Sequence, residues 1–450
     1  MQINEEVKNR IIERYMARTE KSQAIFQAAR QYLPGGDTRS FAHFDPYPFY
    51  AQSGEGCRIT DCDGNAYIDL VNNMTALVHG HAHPHIVEAL SRQLPLGTCH
   101  AAPIESQVAL AAHLCDRINS VDMIRFCNSG TEATLFAMRG ARAFTGRDLI
   151  VKIDGGYNGS HDFAYANTAP DLSDSELPKT VLPRGVPACI ADGILAAPFN
   201  DLGAMEKILS QNPGKVAAII LEPIMGAGGG IRAAEGYLKG VRELADRYGA
   251  LLILDEVITL RLHAGGYQAI EGVTPDLTAL GKIIGGGLPV GAFGGRRDIM
   301  ELFDPTRPDF VSHSGTLSGN AMTMAAGMAC MEIYTQAEAD RLNALGDRIR
   351  KGFSEAMAAA GVKGQVSGYG SVLFIWFFDK PAANGKQFAL SVAGCHDFSK
   401  LMHLELLNRG VYCASKGFLL MSLSTPMDAA MADEIVEKFG EALAVVRSGS

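Results

Sequence analysis

The chain has no hydrophobic run near the roughly 18 residues of a membrane span, no CxxC pair among its nine cysteines and no surplus of positive charge. Each absence removes a class of function. Without an apolar span, a membrane-embedded role is not expected. Thiols that are odd in number and scattered suit a reducing compartment better than a disulfide framework or a zinc site. A net charge of −9 argues against nucleic acid or an anionic membrane surface as the main partner. The opening Met1-Gln2-Ile3-Asn4-Glu5-Glu6-Val7 is polar and acidic, unlike a signal peptide, so the expected location is cytoplasmic. Repeats and low-complexity tracts are missing. No GxGxxG follows a strand and opens a helix near the start, which sets aside a nucleotide-binding oxidoreductase. Asp61-Cys62-Asp63-Gly64 starts like a calcium loop, but the later ligands are not there and a plain turn is expected. His79-Gly80-His81-Ala82-His83-Pro84 has no acids or cysteines close by in sequence, so no metal is expected.

What is present is an ordinary globular composition, 47% hydrophobic and 20% charged over 450 residues, enough for a large core and two domains. Residues 4–32 show helical spacing through Val7, Ile11, Tyr15, Ile25, Ala28 and Tyr32, and Leu33-Pro34-Gly35-Gly36 ends the pattern. Cys57 to Asp69 reads as a hairpin turning at Asp63-Gly64. From about 107 to 325, helical and apolar segments alternate, as in a parallel sheet with crossover helices. Val216–Leu221 and Leu251–Leu254 are its clearest strands. Residues 159–190, rich in Pro, Ser and Asp, read as a long loop. Helical spacing returns at about 318–360, and short strands such as Ser371–Trp376 then alternate with helices.

Three features carry chemistry. Leu251-Leu252-Ile253-Leu254-Asp255-Glu256 is an apolar run closed by two acids, so Asp255 falls at the carboxyl end of an interior strand, where open α/β sheets place ligands. Lys282 stands 27 positions later, just before Gly285-Gly286-Gly287. A lysine amine that forms a Schiff base and a carboxylate that keeps a pyridine nitrogen protonated are the two anchors of a pyridoxal phosphate ring. Upstream, Asn128-Ser129-Gly130-Thr131-Glu132 runs into a helix-forming segment. Ser129 with Glu132 makes a capping-box pattern, at a helix end suited to an anion. Taken singly, Lys282 also reads as a surface lysine and Ser129–Glu132 as an ordinary cap. Together they suggest a phosphate cup and its ring.

Asn128-Ser129-Gly130-Thr131-Glu132-Ala133, Leu221-Glu222-Pro223, Asp255-Glu256-Val257, Leu280-Gly281-Lys282-Ile283-Ile284-Gly285-Gly286-Gly287-Leu288-Pro289 and Ser314-Gly315-Thr316 resemble the motifs of class III pyridoxal-phosphate-dependent aminotransferases, in the right order. The resemblance runs from about Leu33 to Phe439 and is nearest to the β-amino acid aminotransferases and the glutamate-1-semialdehyde 2,1-aminomutase group. It implies an α/β fold, the fold type I of these transferases. A large domain, 71–325, would hold a mainly parallel mixed sheet between helices. A smaller α+β domain would combine the N-terminal segment, 1–70, with residues 326–450.

The resemblance also assigns roles. Lys282 forms the Schiff base with pyridoxal 5′-phosphate and moves the proton, and Asp255 supports the ring nitrogen. Ser129, Gly130 and Thr131 hold the phosphate. Val257 and Tyr157 cover the two ring faces, and Glu222 sits toward the ring's 3-oxygen. Thr316 reaches the phosphate of a neighbouring subunit, which implies a homodimer with shared active sites. Substrates would be a small-molecule amino donor (an amine or a β- or ω-amino acid) and an oxo-acid acceptor, pyruvate or 2-oxoglutarate. Tyr157 and Glu222 also fit core packing or a surface pair.

Departures from the pattern bear on the substrate. Asn158 stands where the family has histidine, so that histidine's role is expected to be lost. Val71-Asn72-Asn73-Met74-Thr75-Ala76 lacks the Ser-Trp pair of the aminomutases, which favours a transaminase over intramolecular amino transfer. Arg39 matches a carboxylate-gripping arginine of the β-amino acid enzymes. Lys416 stands near where their second arginine falls, and it attracts an anion without copying the guanidinium fork. Each also reads as a solvated side chain.

Overall fold

An apolar strand flanked by apolar strands must bury both faces, and a sheet of that kind is the frame of the site. The computed structural model describes residues 4–448; Met1–Ile3, the start of the polar opening, lie outside it. The chain forms two compact units, one of residues 84–340 with 382–389, the other of 1–83, 341–381 and 390–450. No helix among the described residues is long and apolar enough to cross a membrane.

The 84–340 unit is built on a seven-stranded sheet. Its strands run in the order Met123–Cys127, Gly291–Gly295, Leu277–Gly281, Leu251–Asp255, Val216–Leu221, Leu149–Ile153 and Ile194–Ala197. All are parallel except Gly291–Gly295, which pairs antiparallel with both neighbours. Val216–Leu221 is buried along its whole length, and so is Leu251–Asp255. That agrees with the continuous apolar runs of a sheet covered on both faces. Phe136, Ala137, Met138 and Ala141, from the helix Gly130–Thr145, pack into this core with Ile253, Leu277 and Phe293. The helical stretch expected at 318–360 is two helices, Ala321–Ile333 and Gln336–Ala360. Between 159 and 190 the chain is irregular apart from the short turn Asp162–Tyr165 and the start of a 3₁₀ segment at Ala188.

The other unit carries two four-stranded sheets. The hairpin forms as expected, with Arg58–Asp61 pairing Ala66–Asp69 about Gly64, whose φ of 89° needs a glycine. An additional strand, Ala51–Glu55, joins its edge. Asp61 accepts bonds from the Asp63 and Asn65 amides, at 3.0 and 2.8 Å, and from the Tyr67 hydroxyl at 2.7 Å, so the Asp-x-Asp-Gly stretch is a turn closed by its own acid.

The single helix expected over 4–32 is two helices, Glu5–Arg18 and Glu20–Ala29. The break at Thr19 has a tertiary cause. Asp63, from the hairpin, accepts the backbone N–H groups of Lys21 and Ser22, at 2.7 and 3.0 Å, and so caps the second helix from outside. Helical spacing cannot reveal a cap contributed from some 40 residues away.

Candidate active site

Three neighbouring strands of the large sheet end in charged groups. Asp255 closes its strand, Glu222 follows the next, and Lys152 lies near the end of the third. Asp255 and Glu222 are each only 6% exposed, and Lys152 is fully buried. Burial raises the Asp255 carboxyl above its ordinary range, against the pull of the Asn158 amide, the Val257 N–H, Lys282 and Lys152. Asn158 donates from Nδ2 to Asp255 Oδ2 at 2.9 Å, and the Val257 N–H reaches Oδ1 at 3.2 Å. A carboxylate oriented in this way, and more basic than usual, suits a protonated ring nitrogen. Asn158, expected only as the loss of a histidine, therefore has a position of its own as an orienting partner of Asp255.

Lys282 follows the extended Gly281 and opens a 3₁₀ turn, itself in the left-handed region at φ 52°. Such a conformation is uncommon for a residue with a side chain and is kept only where the surroundings enforce it. Gly286, at φ 59°, completes the turn; a Cβ there would lie 2.3 Å from the Ala326 carbonyl oxygen. Burial pushes the Lys282 ammonium below its ordinary pKa, and Asp255 and Glu222 partly oppose the shift. The result is an amine more available as a base and nucleophile than an exposed lysine.

The cup forms at the N-terminus of the Gly130–Thr145 helix. Ser129 Oγ accepts the Glu132 N–H at 3.2 Å, as the capping pattern predicts. The reciprocal bond is displaced by one residue, since Glu132 Oε2 accepts the Asn128 N–H at 2.6 Å rather than that of Ser129. A Cβ on Gly130 would come within 3.2 Å of the Val257 methyls, a close contact that a bare backbone avoids. Thr131 Oγ1 accepts the Ser160 N–H at 3.2 Å. Ser314-Gly315-Thr316 belongs to an irregular stretch anchored through Ser318, whose Oγ accepts Asn128 Nδ2 at 3.3 Å; Thr316 itself is exposed.

Tyr157 is 43% exposed, and its backbone N–H is held by Glu222. Glu222 accepts the Tyr157 N–H on Oε2 and the Gly226 N–H on Oε1, each at 3.0 Å. Burial first, and Asp255 second, push its pKa up to about 7. Backbone donors at a helix end, an apolar Val257, an aromatic Tyr157, an oriented acid and a buried amine are the donor set that a phosphorylated pyridine aldehyde requires. The residues fit that group.

Arg39 and Lys416 lie in the other unit. Arg39 is exposed, and its Nη1 donates to Asn73 Oδ1 at 2.6 Å. Asn73 belongs to four successive residues, Asn72 to Thr75, with φ between 47° and 73°. A left-handed run of non-glycine residues costs about 1–2 kcal/mol per residue. It is held by Asp69, which accepts the Val71 and Asn72 N–H groups, and by Asn72 Nδ2 on the Ser422 carbonyl at 2.7 Å. Lys416 is exposed, its ammonium 4.8 Å from the centre of the Phe41 ring. In the histidine-rich stretch, His81 Nε2 meets Asp69 Oδ2 at 2.7 Å, an acid partner 12 residues away in sequence, and His79 Nδ1 meets Thr425 Oγ1 at 3.0 Å. These are structural bonds, and no cluster of metal ligands occurs among the described residues.

Lys152 escaped the sequence analysis. Its signal was present as one lysine inside the apolar run Leu149-Ile150-Val151-Lys152-Ile153.

The sheet order, the acid and amine at neighbouring strand ends and the helix-end cup define an enzyme of the pyridoxal-phosphate fold type I. The Aminotransferase class-III family model matches residues 41–443, and the chain belongs to that family; it is a pyridoxal-phosphate-dependent enzyme. A glutamate-1-semialdehyde 2,1-aminomutase of Roseiflexus castenholzii is 39% identical over 438 residues, 96% of this chain and 99% of that protein. An ω-transaminase from Sphaerobacter thermophilus superposes with a TM-score of 0.90 at 42% identity, covering 95% of this chain and 98% of its own. A β-phenylalanine aminotransferase from Variovorax paradoxus gives 0.87 at 33%, covering 97% and 96%.

Proposed function

We propose that this enzyme transfers an amino group from an amine or a β- or ω-amino acid to an oxo-acid, pyruvate or 2-oxoglutarate, in a ping-pong cycle. The observation that carries the reading is the placement of Lys282, Asp255 and Glu222 in one buried electrostatic group. Pyridoxal 5′-phosphate, when bound, supplies an aldehyde that condenses with amines and a ring that takes up electrons. Ser129, the Gly130 backbone and Thr131 would hold its phosphate, Asp255 its ring nitrogen, and Val257 and Tyr157 its two faces. Glu222 would sit toward its 3-oxygen.

Lys282 would be the amine that holds the aldehyde carbon. Its Nζ would also be the group that takes up and returns a proton at the donor carbon. Burial lowers its pKa, which favours the tasks of nucleophile and base. Arg39 and Lys416 are the proposed substrate-binding residues, the first as a fork for a carboxylate and the second as a point charge. Thr316 is assigned to the phosphate of a second copy, so the working form is a homodimer.

The aminomutase names of relatives at 39% identity favour a second reading, intramolecular amino transfer as in glutamate-1-semialdehyde 2,1-aminomutase. One experiment separates the two. Given a β-amino acid and no oxo-acid, a transaminase releases at most one equivalent of ketone per site. Repeated turnover to an isomer overturns the transaminase reading.

A further inference from the structure

Lys152 is a fully buried lysine at the edge of the site, and no role assigned above uses it. Its Nζ donates to the Gly156 carbonyl oxygen. Glu222 Oε2 accepts the Tyr157 N–H at 3.0 Å. The C=O of residue 156 and the N–H of residue 157 belong to one peptide group. A buried ammonium therefore holds one end of that peptide and a buried carboxylate the other.

We infer that Lys152 is a positioning residue for amino transfer, which sets the direction of the Tyr157 ring by gripping the 156–157 peptide together with Glu222.

The geometry makes the grip directional. Rotating the peptide by half a turn would aim the carbonyl at the Glu222 carboxylate and the N–H at the Lys152 ammonium, so both charge-assisted bonds would become repulsions. The segment needs such a restraint, since Gly155 and Gly159, at φ 82° and 104°, bracket it with freely rotating backbone. Two further bonds continue it. Thr134 Oγ1 donates to the Asn158 carbonyl at 2.5 Å, and Asn158 Nδ2 reaches Asp255 at 2.9 Å. The orientation of the 156–157 peptide is thus passed to Tyr157 on one side and to the amide on Asp255 on the other. The arrangement follows from sheet order: the strands of Lys152, Glu222 and Asp255 are neighbours, and Asp154 adds a third acid near the ammonium. A lone lysine in such a strand would be costly to bury; here three acids and a carbonyl partly offset the loss of water, and burial still lowers the ammonium's pKa to about 8.

The inference rests on Tyr157 lying against the ring, and its test keeps the two ideas apart. Lys152→Met is prepared in the full chain, and amide hydrogen exchange is followed with and without pyridoxal phosphate. Exchange of the Tyr157 amide should rise about tenfold or more while the sheet strands stay protected. Turnover should fall between about ten- and a hundredfold, with the Michaelis constant for the donor nearly unchanged. An unchanged Tyr157 amide in a folded variant overturns the proposal, and so does an equal rise across all strands. If Lys152→Met does not accumulate as folded protein, Glu222→Gln decides the matter. A rise confined to the same segment supports the grip, and its absence ends it. Failure of the functional reading shows separately, as lack of amino transfer in the unaltered enzyme whatever the exchange pattern.

Discussion

The two units place their chemistry in opposite ways. In the 84–340 unit the decisive groups hang from strand ends: Asp255 and Glu222 are nearly inaccessible and Lys152 wholly so. Each is tied by two bonds or more or surrounded by opposite charge. In the other unit, Arg39 and Lys416 are exposed; Arg39 bonds Asn73 of a left-handed turn, and Lys416 lies over the Phe41 ring. The difference matches the roles proposed for each group. Holding a ring nitrogen, an aldehyde carbon and a proton path tolerates little displacement and needs a rigid frame. Gripping variable substrates suits loops, where a change of residue alters the contact without disturbing a core.

The comparison can be broken at its strongest point first. Lys282→Ala should abolish turnover, a loss of at least about 10²–10⁴-fold, together with the yellow species that borohydride reduces. Full activity in that variant removes Lys282 from the chemistry. Asp255→Asn should retain the cofactor yet lose roughly 10²–10³-fold in turnover, because a neutral amide no longer holds the ring proton. If turnover barely moves, some other group protonates the ring.

On the loop side the effects should be smaller and selective. Arg39→Ala is expected to raise the Michaelis constant for carboxylated donors by about ten- to a hundredfold, and that for a simple arylalkylamine far less. Equal effects on both donors would make Arg39 a structural partner of Asn73 and nothing more.

The gentlest test uses pH. Glu222 is moved from its ordinary 4.5 to about 7. Between those values the folded chain keeps a proton that the unfolded chain has released, so this group's contribution to stability is lost as pH rises through that window. Glu222→Gln should therefore flatten the decline of the cofactor-free chain's urea midpoint between about pH 5 and pH 7. An identical decline in both chains would mean that Glu222 titrates like an exposed acid.

Some of this was legible before any coordinates. The strands Val216–Leu221 and Leu251–Asp255 announce themselves as unbroken apolar runs, because a strand covered on both faces has no polar side to show. The Ser129 cap and the Asp63-Gly64 turn are local chemistry, read from a few adjacent residues. The helix break at Thr19 was not legible, since its cap comes from Asp63. Nor was the acid partner of His81, which lies on another strand.

By itself, then, the order of residues marked out Lys282, Asp255 and the capped helix end as candidates and decided the class of sheet, for each depends on neighbours within a few positions or on the period of an apolar pattern. Only the tertiary structure decided that Asn158 orients Asp255, that Lys152 and Glu222 take one peptide by its two ends, and that Arg39 leans on Asn73. Those relations join residues from 34 to 97 positions apart, or depend on which strands lie side by side. A buried charge finds its partner across the sheet, and no local pattern records which strand that will be.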